Sequence, residues 1–98
     1  MNTLNQETRV ENVTRAGVIE GANVKLQFTR ENDKPVRQIT VNAEKPVENG
    51  QPINVFIDWQ HANRHVTMAA SNCSLEDVPI ELFNKLLSEM RAVNGEAL

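Results

Sequence analysis

Tyrosine is absent from this chain of 98 residues, and it carries one tryptophan, three phenylalanines and a single cysteine. A lone thiol, Cys73, cannot close an internal disulfide, so a disulfide scaffold is excluded and a reducing compartment is expected. Aromatics this sparse leave a sheet-based nucleic-acid reader little on which to stack bases. Only four glycines are present, and none forms a phosphate-cradling loop of the dinucleotide or P-loop kind; Gly17 and Gly21 read as turn residues. No apolar run is long enough to span a bilayer. The N-terminal stretch MNTLNQETRVENVTR has no apolar h-region, so no signal peptide is expected and the chain reads as soluble and cytoplasmic. Internal repeats and low-complexity segments are absent too.

What is present is ordinary for a globular protein: 40% hydrophobic and 23% charged residues. The net charge of −3 argues against affinity built on neutralising phosphates. The length suits one domain over 9–98 behind a polar tail at 1–8. A domain of this size has a small core, and homodimerisation is the expected way to enlarge it.

The clearest element is the last. In DVPIELFNKLLSEMRAVN, Ile80, Phe83, Leu86, Leu87, Met90 and Val93 recur at three- and four-residue steps, predicting a helix over 78–94. Ser74 and Asp77 suggest a weakened capping box, with a short turn over 75–77 before Pro79. Glu81 and Lys85 form an i,i+4 pair in the favourable order, and Gly95 is placed to end the helix. Leu82 and Leu86 widen the stripe enough to suggest packing on a partner helix. Ahead of the helix, period-two alternation predicts strands at 10–19, 23–30, 36–42, 53–59 and 65–70. The Pro and Gly residues of 43–52 predict a loop between the third and fourth. Hairpin-length connections make the strands sequential neighbours. The fold class is therefore α+β: a four- to five-stranded antiparallel meander with one C-terminal helix on one face. The covered face is expected to include Val24, Leu26, Phe28, Ile39, Val41, Ile53, Val55, Ile57, Val66 and Met68.

The opposite face is expected to be polar, carrying Lys25, Gln27, Thr29, Gln38, Thr40, Asn42, Asn54, Asp58, His65 and Thr67 around one large aromatic, Phe56. Phe56 with Thr40, Asn54, Gln38 and Lys25 forms the candidate interaction surface. Asp58, His61, His65 and Cys73 are metal-ligand types, but their steps are irregular and the cysteine is alone; solvated turn residues are the simpler reading. Cys73 lacks a family signature for a nucleophile and reads as a half-buried thiol. Glu76 and Asp77 at a helix start complement its dipole. Arg30, Lys34 and Arg37 crowd one turn, a third candidate, for nucleic acid. With no catalytic inventory and no cofactor signature, the expected function is a non-catalytic accessory or protein-interaction domain, homodimeric, with an unidentified protein partner. A metal- or small-ligand-binding hydrolase or sensor is the alternative.

Overall fold

The computed structural model describes residues 10–31 and 36–96. The expected tail at 1–8 and Lys34 lie outside them. Among the described residues, five strands, β1 (Val10–Ile19), β2 (Ala22–Glu31), β3 (Gln38–Lys45), β4 (Ile53–Gln60) and β5 (His65–Ser71), precede a 3₁₀ turn, Leu75–Asp77, and a helix, α1 (Ile80–Glu96). The strands form one antiparallel sheet in the order β1-β2-β3-β4-β5. This is the α+β meander with a C-terminal helix that the alternation predicts.

Turn chemistry sets the register. Glu20 and Gly21 join β1 to β2 with φ of 50° and 75°. Positive φ at both central residues is the type I′ arrangement, whose twist matches that of the flanking strands. β3 departs from expectation at both ends. Its ladder with β4 runs on to Lys45 opposite Ile53, through residues expected in a loop. Pairing with a strongly β neighbour overrides the weak strand propensity of Ala43, Glu44 and Lys45. At the other end, Val36 is fully buried ahead of the strand, and the Arg37 carbonyl accepts from the His61 N–H at 2.8 Å.

The helix start also differs. The Ser74 hydroxyl donates to the Asp77 carboxylate at 2.8 Å and caps no backbone N–H, so the expected capping box does not form. Pro79 sets the entry instead, its carbonyl accepting from the Phe83 N–H at 3.1 Å. The helix continues through Gly95 to Glu96. Lys85 reaches Glu20 in the β1–β2 turn, not Glu81. Their hydrogen bond, ahead of simple charge attraction, holds Glu20 below its usual range and Lys85 above its own. The depressed Glu20 contributes above its unfolded value of about 4.3, and that share is lost as pH falls through its folded pKa. The raised Lys85 contributes below about 10.4, and its share is lost as pH rises through its folded pKa. The clasp therefore holds across the neutral range.

Leu82, Phe83, Leu86, Met90 and Val93 seat α1 on the buried side chains of β2, β3 and β4. A helix with its side chains is about 10–12 Å across. Five strands at about 4.8 Å spacing span roughly 19 Å. One helix cannot cover all five strands: α1 buries the inward side chains of β2, β3 and β4, comes nearest in its backbone to β1, where Val13 and Ile19 pack against the core, and leaves β5 uncovered. Val66 and Met68, expected in the core, are 47% and 46% exposed on β5. Ile80, expected in the buried stripe, is 66% exposed, while Leu82, assigned to a partner helix, is buried against the sheet. No helix among the described residues is long and apolar enough to cross a membrane.

This seating of α1 has a direct test by urea denaturation. Leu86→Ala removes a fully buried side chain and is expected to cost about 2–5 kcal/mol. Ile80→Ala is expected to stay within about 0.5 kcal/mol of the parent. Comparable losses at the two positions would contradict the seating.

Candidate functional site

The side of the sheet away from α1 is built from four cross-strand rows, each fixed by the register. One is Asn12–Thr29–Gln38–Gln60–His65, the next Thr14–Gln27–Thr40–Asp58–Thr67, then Ala16–Lys25–Asn42–Phe56–Ala69, and last Val18–Asn23–Glu44–Asn54–Ser71. The expected surface residues Lys25, Gln38, Thr40, Asn54 and Phe56 thus share one face. Strand alternation is sufficient to place them there, because successive side chains point to opposite sides.

The first two rows are internally bonded. Asp58 is the one buried charged side chain among the described residues, at 9% exposure. Its Oδ1 accepts from Gln38 Nε2 at 2.8 Å and from Thr40 Oγ1 at 3.2 Å. Its Oδ2 accepts from Gln60 Nε2 at 3.2 Å, and Gln60 Oε1 in turn accepts from Asn63 Nδ2 at 2.7 Å. Beyond them, Thr29 donates to Asn12 at 2.9 Å. The Gln38 hydrogen bond, with those of Gln60 and Thr40 and the charge of His65, holds Asp58 below the usual carboxylate range against the upward push of burial. The sequence places Asp58 on the open face near the end of the fourth strand, beside a turn, as a solvated residue or metal ligand. It lies within β4 with both oxygens occupied. The missed signal was its cross-strand position between Thr40 and Thr67, with Gln38 and Gln60 two residues along their strands.

The other candidate ligands do not converge on it. His61 sits in the β4–β5 turn, edge-on to Trp59 with ring centroids 5.6 Å apart. His65 opens β5 on the open face opposite Gln60. Cys73 is half-buried against the core past the far end of β5, a strand length of roughly 20 Å away. Among the described residues, no three His, Cys, Asp or Glu side chains gather as a metal site would require.

The basic turn is likewise dispersed. The Arg30 guanidinium lies 5.4 Å from the centroid of the Phe28 ring, and Arg15 lies 5.3 Å from it. Both cations are laid against the aromatic edge of the core. Arg37 pairs with Glu31 at 3.4 Å.

A second feature lies on the helix side. At about 100° per residue, Ile80 falls on the same flank of α1 as Leu87. Leu87 lines a groove of about 230 Å³ with Ile39, Trp59, Val66 and Met90. Exposed Val66 and half-buried Leu87 thus line an apolar groove between α1 and β5, bordered by Arg91 and Asn94, and exposed Met68 follows Val66 on the same face of β5. β5 is also an edge strand, and from Val66 to Ser71 it has no charge, proline or glycine. β1, the opposite edge, carries Glu11, Arg15 and Gly17.

The Asp58 hub makes a pH prediction. Asp58→Asn is expected to lower stability at pH 7 by about 1–3 kcal/mol through loss of charge-assisted bonds. Asp58's folded pKa lies below its unfolded value of about 3.9. Its contribution is therefore complete above that value and lost as pH falls through the folded pKa. In urea titrations the gap between parent and variant should narrow below about pH 4. A gap unchanged from neutral to strongly acidic pH would contradict the assignment.

Compared with known proteins, the chain matches no family model, no curated protein and no solved structure.

Proposed function

We propose that this chain is a non-catalytic interaction domain that works as a homodimer, joined through the outer edge of β5. The observation that carries the reading is the coincidence, on one strand, of an unblunted edge and an exposed apolar strip. An edge strand presents unpaired N–H and C=O groups, and proteins ordinarily protect it with charge, proline, a bulge or a cover. From Val66 to Ser71, β5 has no charge, proline or glycine, whereas β1 carries two charges. Large exposed apolar patches on soluble domains mark contact surfaces.

A second copy satisfies both features at once. A two-fold axis through Met68 pairs β5 with itself antiparallel, the self-complementary arrangement of a closed dimer. Val66 then faces the second copy's Ala70, Thr67 faces its Ala69, and Met68 faces Met68. The sheets join into ten strands with both helices on one side. Between the helices lies a trough floored by the paired Val66 and Met68 side chains and flanked by the two Leu87 residues. The open polar face runs continuously across both copies.

Light scattering coupled to gel filtration tests this. The parent protein at tens of micromolar is expected at twice the 11.0 kDa chain mass. Met68→Lys puts a charge at the centre of the trough, at a position already half exposed in one copy, and is expected to elute at the single-chain mass with its circular dichroism unchanged. A monomeric parent, or a variant that remains dimeric, would contradict the proposal.

A further inference from the structure

The open face divides into two chemically different halves, and the division points to a ligand. Around Asp58 the amides and hydroxyls bond to one another. In the other two rows and the adjoining Gln27 they do not. Asn23, Gln27, Asn42 and Asn54 make no side-chain hydrogen bond among the described residues. All four line one open groove of about 980 Å³. Each carboxamide offers two donors and an acceptor.

The floor of that groove holds Phe56, 37% exposed, with Ala69 beside it on β5 and Asn42 beside it on β3. Ala16 and Gly17 keep the β1 wall low. An aromatic ring about a third exposed, set among amide side chains with Ala16, Val18 and Ala69 around it, offers a platform for stacking. Charge narrows the class of occupant. The groove's charged lining residues are Lys25 and Glu44, diagonal neighbours on β2 and β3, and they cancel. A phosphate-bearing strand would meet as much repulsion as attraction here, whereas nucleic-acid grooves are strongly positive. An acidic or basic peptide gains nothing either. What fits is a neutral ligand with many hydroxyls along its edges and an apolar C–H face to lie on a ring.

We propose that the groove over Phe56 binds a neutral oligosaccharide. The sugar's C–H face stacks on Phe56, and its hydroxyls exchange hydrogen bonds with Asn23, Asn42, Asn54 and Gln27. The rows span five strands, roughly 19 Å at about 4.8 Å per strand, which accommodates several sugar rings in line. The bonded half of the face, held by Asp58, keeps the neighbouring strands in fixed register and so pre-organises the groove. This site lies on the opposite side of the sheet from the apolar trough and does not depend on dimerisation.

The test is a nuclear magnetic resonance titration of the ¹⁵N-labelled full chain with cellohexaose, xylohexaose, maltohexaose and chitohexaose in turn, and with oligothymidylate for comparison. At least one of the sugars is expected to shift the side-chain NH₂ signals of Asn23, Asn42, Asn54 and Gln27 while leaving Gln60 and Asn63 in place. Phe56→Ala is expected to weaken that binding by about tenfold or more. Asn42→Ala, an exposed position with no structural partner, should weaken it less while keeping the fold. Repeating the titration in Met68→Lys separates this site from the dimer, and binding is expected to survive there. No shift with any of the sugars at millimolar concentration would overturn the proposal, as would shifts indifferent to both groove variants. Oligothymidylate shifting the same signals, weakening with salt, would overturn it in favour of a single-stranded nucleic acid.

Discussion

Leu82, Leu86, Met90 and Val93 bind α1 over the buried side chains of β2, β3 and β4, and the width of a helix decides what is left open. Three strands are sealed and two are not. On the β1 side, Arg15 and Arg30 lay their guanidinium groups against Phe28 and close the margin with long amphipathic side chains. On the β5 side Arg91 and Asn94 of α1 line the groove beside Val66, but they leave the strand's apolar side chains exposed. Val66 and Met68 remain in water at an energetic cost of apolar exposure. The two margins of one sheet are thus finished differently. The unfinished one also lacks charge from Val66 to Ser71, and this coincidence is the basis for proposing a second copy as its cover.

The other side of the sheet obeys a separate constraint. A carboxylate set among β-strands and nearly closed off from water must be bonded or else neutralised. Gln38, Thr40 and Gln60 bond Asp58 from three directions, using β3 and β4 together. Their side chains are thereby committed. The groove amides around Phe56 have no such claim on them, so one polar surface contains a bonded half and an unbonded half. Lys85 and Glu20 add a third tie, from the helix to the first hairpin, that fixes α1 against the β1–β2 turn.

Much of this architecture was legible in the sequence for physical reasons. Alternation at Val24–Phe28, Ile39–Val41 and Ile53–Trp59 can only serve a sheet with one wet face, and short turns then dictate a meander. The open-face residues followed from the same alternation. What could not be read depends on widths and partners, which a linear pattern does not carry. Val66 and Met68 alternate as correctly as Ile57 does, but the helix stops short of them. Ile80 satisfies the helical spacing but falls on the flank, because Leu82 takes the centre. Asp58 looks like any residue near a turn until the register sets Gln38 and Thr40 beside it. Lys85 has Glu81 at the right spacing, yet the β1–β2 turn brings Glu20 closer.

Hydrogen exchange at β5, followed as protein concentration is raised, reads the strand that the helix leaves uncovered. If the β5 edge is closed by a second copy, the outward N–H groups of His65–Ser71 should gain protection as concentration rises through the dimer dissociation constant, while the amides of β2, β3 and β4 stay slow throughout. If exchange along β5 is the same at low and high concentration, the edge is not an interface, and the account of the exposed Val66 and Met68 strip is wrong.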